Sequence, residues 1–157
     1  MALKVDISGT ELVEAAIPLR ESWEKDIREL FLQILADEGL DVDKDNFYIS
    51  VSFVSSGEMR ELNRLYRDID APTDVLSFPL WEDMELPEGW GEIALGDIVI
   101  APDVVKENAS NSELFPDREL FFVLAHGLLH LLGWDHQDEE TESTMIERQE
   151  QYLERIF

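Results

Sequence analysis

The chain carries its three histidines within one short segment, at positions 126, 130 and 136, and it contains no cysteine. Residues 120–132 are apolar all round a helix except for His126 and His130, and a helix of that kind lies in a protein core. The spacing of four places these two imidazoles on the same face, one turn apart. Because burying an unpaired imidazole is costly, the pattern predicts that the fold gives each of them a partner.

A metal ion is the partner that the spacing favours. Gly133 can adopt the left-handed conformation that ends a helix, and the resulting turn could bring His136 in as a third ligand. Three neutral imidazoles leave one position of a tetrahedral zinc ion open, as in catalytic zinc sites. The sequence therefore predicts one Zn2+ per chain held by His126, His130 and His136, although the same ligands also suit nickel, copper or iron. Hydrogen bonds from the imidazoles to backbone or carboxylates are the alternative.

Length and composition favour a single globular unit. A chain of 157 residues fits one domain spanning 1–157 and is long enough to bury a core. No apolar run is long enough to span a bilayer, and the first residues show no secretory signal. The absence of cysteine excludes disulfides and thiolate metal sites and fits a reducing compartment. We therefore expect a cytoplasmic protein with no membrane partner.

The apolar periodicity predicts strands and helices in an order that lacks strict βα alternation. Ser55 and Glu58 predict a capping box that opens a helix, and Pro79 favours an edge position for the strand that it closes. The acidic segment 82–91 predicts an exposed loop. We predict an α+β single domain with a small mixed β-sheet packed against helices, and a metal site on a buried central helix and the turn after it. The predicted strands cover 4–8, 47–53, 75–78 and 93–100, and the predicted helices cover 19–35, 55–67, 102–110, 116–132 and 145–156.

The histidine spacing also matches a known zinc-binding skeleton, with one decisive departure. The pattern H-x3-H-x2-G-x2-H is shared with the metzincin peptidases, in which a glutamate after the first histidine takes a proton from metal-bound water. Gly127 occupies that position here. Simple peptidase activity is therefore doubtful unless a base comes from elsewhere. Gly127 indicates instead that another backbone segment or a substrate approaches the metal closely.

Three sequence blocks together resemble the YbeY-type bacterial rRNA-maturation endoribonucleases. The blocks are LNRLYRDIDAPTDVLSFP at 62–79, LGDIVI at 95–100 and HGLLHLLGWDH at 126–136. They occur in the order that the family shows, and they span most of the chain from residue 62 to residue 137. The joint occurrence is far more specific than the histidines alone.

The resemblance implies a single α+β domain with a zinc-like ion on His126, His130 and His136. It implies a metal-dependent, single-strand-specific endoribonuclease that processes ribosomal RNA, including the 3′ end of the small-subunit RNA. It also implies rRNA and the small ribosomal subunit as partners, in late quality control. Arg67 occupies the position of the family's functional arginine. Asp97 matches an acidic position that supports the site or contacts a ribosomal protein, unless it caps backbone at a turn or strand end.

Phosphodiester cleavage is the chemistry that these residues favour. The metal would lower the pKa of bound water toward ~7 or act as a Lewis acid on a phosphate oxygen. Arg67 would pair with the phosphate and offset transition-state charge. Asp135 is a candidate base or orienting group, or a plain surface residue of the turn. Thr73, Asp74 and Ser77 border the cleft by resemblance, and Thr73 and Asp74 could equally terminate a turn.

The net charge of −24 is the main argument against RNA as a ligand. Arg60, Arg64 and Arg67 recur on one helix face, which indicates either a local basic surface or a solvated helix flank. Two alternative functions therefore stay open. One is a metal-dependent hydrolase of a peptide or small molecule, and the other is a non-catalytic ribosome-assembly factor with a structural metal. The attacking group is either water or the RNA 2′-hydroxyl.

Overall fold

The computed structural model describes residues 3–81, 92–134 and 139–157. The predicted acidic loop at 82–91, the candidate base Asp135 and the predicted ligand His136 lie outside these ranges. None of the helices in the described ranges is long and apolar enough to cross a membrane. The strands are β1 (Leu3–Ser8), β2 (Phe47–Phe53), β3 (Val75–Pro79) and β4 (Ile93–Ile100). The helices are α1 (Thr10–Ala16), α2 (Trp23–Asp37), α3 (Ser56–Arg67), α4 (Pro102–Asn111), α5 (Pro116–Leu131) and α6 (Glu139–Glu154).

The four strands form one mixed sheet in the order β1-β2-β4-β3. Strand β2 runs parallel to both β1 and β4, whereas β3 pairs antiparallel with β4 at the sheet edge. The edge position of β3 fits Pro79, which has no N–H to offer a further strand. The predicted α+β class with a small mixed sheet is confirmed.

A bulge in β4 decides which of its residues face the helices. The register between β2 and β4 shifts after Tyr48, so that Ile49 pairs with Gly96. Gly96 has φ 144°, and a Cβ there would collide with the carbonyl oxygen of Phe78 on β3. An extra residue in a strand reverses its alternation. Both Leu95 and Ile98 therefore enter the main core.

The two faces of the sheet carry unequal cores. The main cluster joins one face to α1, α2, α4, α5 and α6 and contains most buried side chains. A smaller cluster on the other face packs Met59 of α3 against Leu76 of β3 and Val99 of β4. Helix α3 and helix α5 therefore lie on opposite faces of the sheet.

The N-terminal helices differ from the prediction. We expected one helix from residue 19 to residue 35, whereas the structure has α1 at Thr10–Ala16 and starts α2 only at Trp23. Pro18 explains the break, because the residue before a proline is disfavoured in the helical conformation. Ile17 is accordingly extended, with φ −128° and ψ 126°. The seven-residue α1 is too short to show a clear apolar periodicity.

Gly127 lets α5 lie directly on the sheet. A Cβ at this position would stand 2.8 Å from Cγ2 of Ile98, which is fully buried. The Ser77 hydroxyl of β3 donates to the Gly127 carbonyl oxygen at 3.0 Å. The space beside Gly127 is therefore filled by a side chain of β4, and not by a substrate.

We expect Gly127→Ala to lower the free energy of unfolding. Overpacking a filled core costs about 1–3 kcal/mol, and it opposes the roughly 0.5–1 kcal/mol that alanine gains over glycine inside a helix. Gly57→Ala is the matched control, since its Cβ would meet only Ser55 Oγ at 3.9 Å. Urea unfolding should show a lower free energy of unfolding for Gly127→Ala and no decrease for Gly57→Ala. Equal stability of the two variants would contradict the close packing of Gly127 on Ile98.

Candidate functional site

Helix α5 is buried on all sides but one. Glu119, Phe122, His126 and His130 are only partly buried, while the residues between them from Leu120 onward are buried. These four residues are spaced by three and four, so they form a single stripe along the helix. The stripe carries both imidazoles on the accessible side of an otherwise buried helix, as the sequence predicts.

Gly133 ends α5 in the predicted way. It has φ 98°, and its N–H donates to the His130 carbonyl oxygen at 3.1 Å. The next N–H, from Trp134, donates to the Leu129 carbonyl oxygen at 3.0 Å. These two bonds form a Schellman motif, which satisfies the last carbonyls of a helix and reverses the chain.

The chain leaving this motif is held by α2 and α6. The Trp134 indole N–H donates to Glu38 Oε2 at 3.1 Å, and Arg148 pairs with Glu38 Oε1 at 2.7 Å. The Arg148 guanidinium also lies 5.1 Å from the centre of the Trp134 ring. These contacts fix the position of Trp134, the last described residue before His136.

The two imidazoles of α5 converge on one point. Nε2 of His130 lies 3.0 Å from Nε2 of His126, and the ring planes meet at 72°. A neutral imidazole has one N–H donor and one acceptor nitrogen. At least one of the two Nε2 atoms therefore presents its lone pair to the other. The stripe therefore presents two imidazole nitrogens toward a common position.

A buried amide on α6 holds the first imidazole. Gln149 has no solvent exposure, and its Nε2 donates to the Phe122 carbonyl oxygen at 3.1 Å. Its Oε1 lies 3.3 Å from Nδ1 of His126. Gln149 lies within the predicted last helix at 145–156, and the sequence alone predicts no role for it. A glutamine among apolar positions was the signal, because a buried amide needs partners.

The imidazole pair fits a metal ion. Two imidazole nitrogens bound to one tetrahedral zinc at ~2.0–2.1 Å lie about 3.3 Å apart, close to the 3.0 Å between the two Nε2 atoms. Metal-bound histidines commonly donate their other ring N–H to a second group, and Gln149 lies in that position for His126. Within the described ranges no three His, Asp or Glu side chains form a complete ligand set. The third ligand, His136, stays a prediction.

Arg67 differs from the other arginines of α3. Arg60 pairs with Asp70 at 2.8 Å, and Arg64 pairs with Glu61 at 2.9 Å. Arg67 is exposed at the last position of α3, and none of the described carboxylates lies within ion-pair distance of it. The solvated-flank interpretation therefore fits Arg60 and Arg64. The described contacts do not join Arg67 to either imidazole.

Asp97 lies apart from the imidazoles. It is an exposed residue inside β4, not at a turn or strand end, and its neighbour Ile98 points toward Gly127 of α5. Successive side chains of a strand point to opposite faces. Asp97 therefore faces away from α5. The expectation that Asp97 caps backbone at a strand end is not met, and a supporting role at the imidazoles is not seen.

Glu119 is a residue of this stripe that the sequence did not single out. It lies seven residues before His126, about 10 Å along the helix axis. Burial raises the pKa of Glu119, and the negative charges of Asp74 and Glu150 raise it further. Asp74 thus comes near α5 from the loop after α3, in which the Asn63 side chain donates to the Ala71 carbonyl oxygen at 2.8 Å.

The fold and the site together define an α+β protein with a histidine pair built into its central helix. A family model described as "Endoribonuclease YbeY" matches residues 13–157. The endoribonuclease YbeY of Clostridioides difficile is 40% identical over 134 residues, 83% of either chain. That of Oceanobacillus iheyensis is 47% identical over 109 residues, 67% of this chain and 71% of the relative. The chain belongs to the YbeY endoribonuclease family.

A solved structure supports the same relationship. A Thermotoga maritima protein determined in solution matches with a TM-score of 0.60 and 31% sequence identity. The match covers 96% of this chain and 87% of the other. The fold is therefore shared over nearly the whole length, including the helix that carries the imidazoles.

Glu119→Gln should stabilise the protein near neutral pH. Because the pKa of Glu119 is raised on folding, its ionised form is penalised in the folded state, and stability falls as the pH rises above the ordinary glutamate range. The gain should shrink once the pH drops below that range, where the carboxyl is protonated in both states. Glu147→Gln, at an exposed position of α6, controls for the change in net charge. Urea unfolding near neutral pH and below the glutamate range measures the stability of both variants. Equal changes in stability for the two variants would refute the raised pKa of Glu119.

Proposed function

We propose that this chain is a metal-dependent, single-strand-specific endoribonuclease that acts in rRNA maturation. Its substrates would include the 3′ end of the small-subunit RNA, and it would work with the small ribosomal subunit in quality control in the cytoplasm. The observation that carries the proposal is the convergence of two imidazole Nε2 atoms at 3.0 Å on the accessible stripe of a core helix. Membership of an endoribonuclease family supports the reaction class.

The metal would be one Zn2+ per chain, held by His126, His130 and His136. When bound, such an ion supplies Lewis acidity toward a phosphate oxygen and lowers the pKa of water. The chain's own part is to hold the two α5 imidazoles at the same point and to direct the following turn through Trp134. Gly127 leaves no side chain at the position of the peptidase glutamate, and Ile98 fills the space beside it. This packing argues against peptidase chemistry at that position.

Arg67 would bind the phosphate of the RNA. Its guanidinium has no described carboxylate partner, so binding a phosphate requires no ion pair to be broken. A planar guanidinium donates two parallel hydrogen bonds to phosphate oxygens and offsets charge that develops as the P–O bond breaks. Either water or the neighbouring 2′-hydroxyl would attack the phosphorus. A 2′,3′-cyclic phosphate end identifies attack by the 2′-hydroxyl.

The net charge of −24 does not exclude a local RNA contact. Exposed charges more than about 10 Å apart are largely screened at ~0.1 M salt. The distant acidic surface therefore does not prevent Arg67 from binding a phosphate, and only nearby acids such as Asp68, the next residue in the chain, oppose that contact. The remaining negative surface would weaken the binding of RNA that makes no productive contact with the protein.

We expect purified zinc-loaded protein to cut a single-stranded RNA that carries the 3′ end of the small-subunit sequence. Arg67→Ala should reduce the cleavage rate by about 10²-fold or more, as for the loss of one transition-state donor. Arg64→Ala should cut at nearly the parent rate, because Arg64 is already paired with Glu61. A gel-based single-turnover assay measures all three, with the same sequence as a duplex for comparison.

Two outcomes of this assay would refute the nuclease proposal. If Arg67→Ala and His126→Ala cut as fast as the parent, the activity belongs to a contaminant or to another site. If the parent binds zinc and ribosomal subunits but cuts no RNA, the non-catalytic assembly factor is the better explanation. Hydrolysis of a peptide by the parent, lost in His126→Ala, would favour the alternative hydrolase.

We expect one equivalent of zinc to bind and to raise the melting temperature. Ligand at 1,000 times its Kd adds about 4 kcal/mol to the stability of the folded state. His126→Ala and His130→Ala should each abolish the effect, and Arg64→Ala should retain it. Metal analysis after dialysis gives the stoichiometry, and thermal unfolding with and without zinc gives the shift. A full shift in both histidine variants would place the metal elsewhere.

A further inference from the structure

Gln149 makes two hydrogen bonds that restrict each other. The Phe122 carbonyl oxygen can only accept, so the Gln149 group that contacts it at 3.1 Å must be the NH2 group. The amide oxygen is then the atom that faces Nδ1 of His126 at 3.3 Å. An amide oxygen can only accept a hydrogen bond. Nδ1 of His126 must therefore carry a proton.

The proton on Nδ1 decides the state of the other ring nitrogen. A neutral imidazole carries one N–H, so Nε2 of His126 is left with its lone pair exposed. That lone pair points toward the position shared with Nε2 of His130. Only an unprotonated nitrogen binds a metal ion.

We propose that Gln149 is a positioning residue that holds His126 in the Nδ1–H tautomer and directs its Nε2 lone pair to the metal. The inference rests on the proposed zinc site and adds to it a residue from α6. Complete burial keeps water from replacing the amide, and the bond to the Phe122 carbonyl prevents the amide from turning over. An amide does not titrate, so the tautomer is held at every pH at which the imidazole is neutral.

The arrangement differs from a simple packing contact. Removing the acceptor takes away the hydrogen bond that Nδ1–H makes to Gln149, which favours the other tautomer, with the proton on Nε2. A proton on Nε2 blocks the nitrogen that faces His130. Loss of Gln149 should therefore weaken metal binding beyond any loss of stability, by about 10–100-fold as for other groups that hydrogen-bond metal-bound histidines.

The test uses the full-length protein and 15N-labelled histidine, since three histidines give a simple spectrum. In metal-free parent protein at a pH where imidazoles are neutral, we expect the His126 nitrogen shifts of an Nδ1–H tautomer. In Gln149→Met, which keeps a similar volume, we expect a mixture or the Nε2–H tautomer. Zinc affinity, measured by competition with a chelator, should fall by about 10–100-fold in the same variant. His126→Ala identifies the His126 signals.

Two further variants separate positioning from stability. In Gln149→Glu, a protonated carboxyl can donate its O–H to the Phe122 carbonyl and keep its other oxygen as the acceptor for Nδ1–H, so this variant should retain the tautomer and most of the zinc affinity. Leu153→Ala removes a fully buried side chain from the same helix. It should lower the melting temperature and leave both the tautomer and the zinc affinity unchanged.

Each result has a defined meaning. An Nδ1–H tautomer that persists in Gln149→Met overturns the role of Gln149, even if zinc binds. A zinc affinity that falls equally in Leu153→Ala also overturns it. A parent protein that binds no zinc, with the tautomer still lost in Gln149→Met, overturns the proposed metal site instead.

Discussion

Two imidazoles stand on a helix that otherwise packs into the core, and leaving either without a partner would cost about 1–3 kcal/mol. The fold meets this constraint from both sides of α5. On one side Gly127 lets the helix lie against Ile98, so the remaining stripe faces outward. On the other side α6 brings in Gln149, whose amide accepts from His126. The site exists because the other faces of α5 are buried and the stripe that carries His126 and His130 is the face of α5 left accessible.

The charges around the site are distributed unevenly, which matters more than their sum. Most basic side chains of the described ranges are neutralised by nearby acids, as Arg60 and Arg64 are on α3. Arg67 is not. At the N-terminal end of the α5 stripe, Glu119 lies near Asp74 and Glu150, and its carboxyl is harder to ionise. The described part of the site thus has acidic groups near Glu119, whereas Arg67 is the arginine of α3 that has no acidic partner among the described residues.

The parts predicted well from sequence depend on local periodicity and capping. The helix from Pro116 and the N-cap hydrogen bond at Ser55 follow from residues within a few positions of each other, and the edge strand that ends at Pro79 does so too. The features that the sequence did not predict have two different causes. The bulge at Gly96, after which Asp97 faces away from α5, depends on pairing with β2, and α1 was missed because seven residues carry too little periodicity.

The shared helix face of His126 and His130 and the turn at Gly133 follow from the sequence alone, since both depend on bonds within one helix. The way in which those imidazoles are held follows from tertiary packing. Gln149 lies 23 positions from His126, and no local rule brings it there. The packing of α6 on α5 places Gln149 beside His126, because the apolar face of α6 must be buried and Gln149 lies on that face. The tautomer of the site is therefore a property of the packed core.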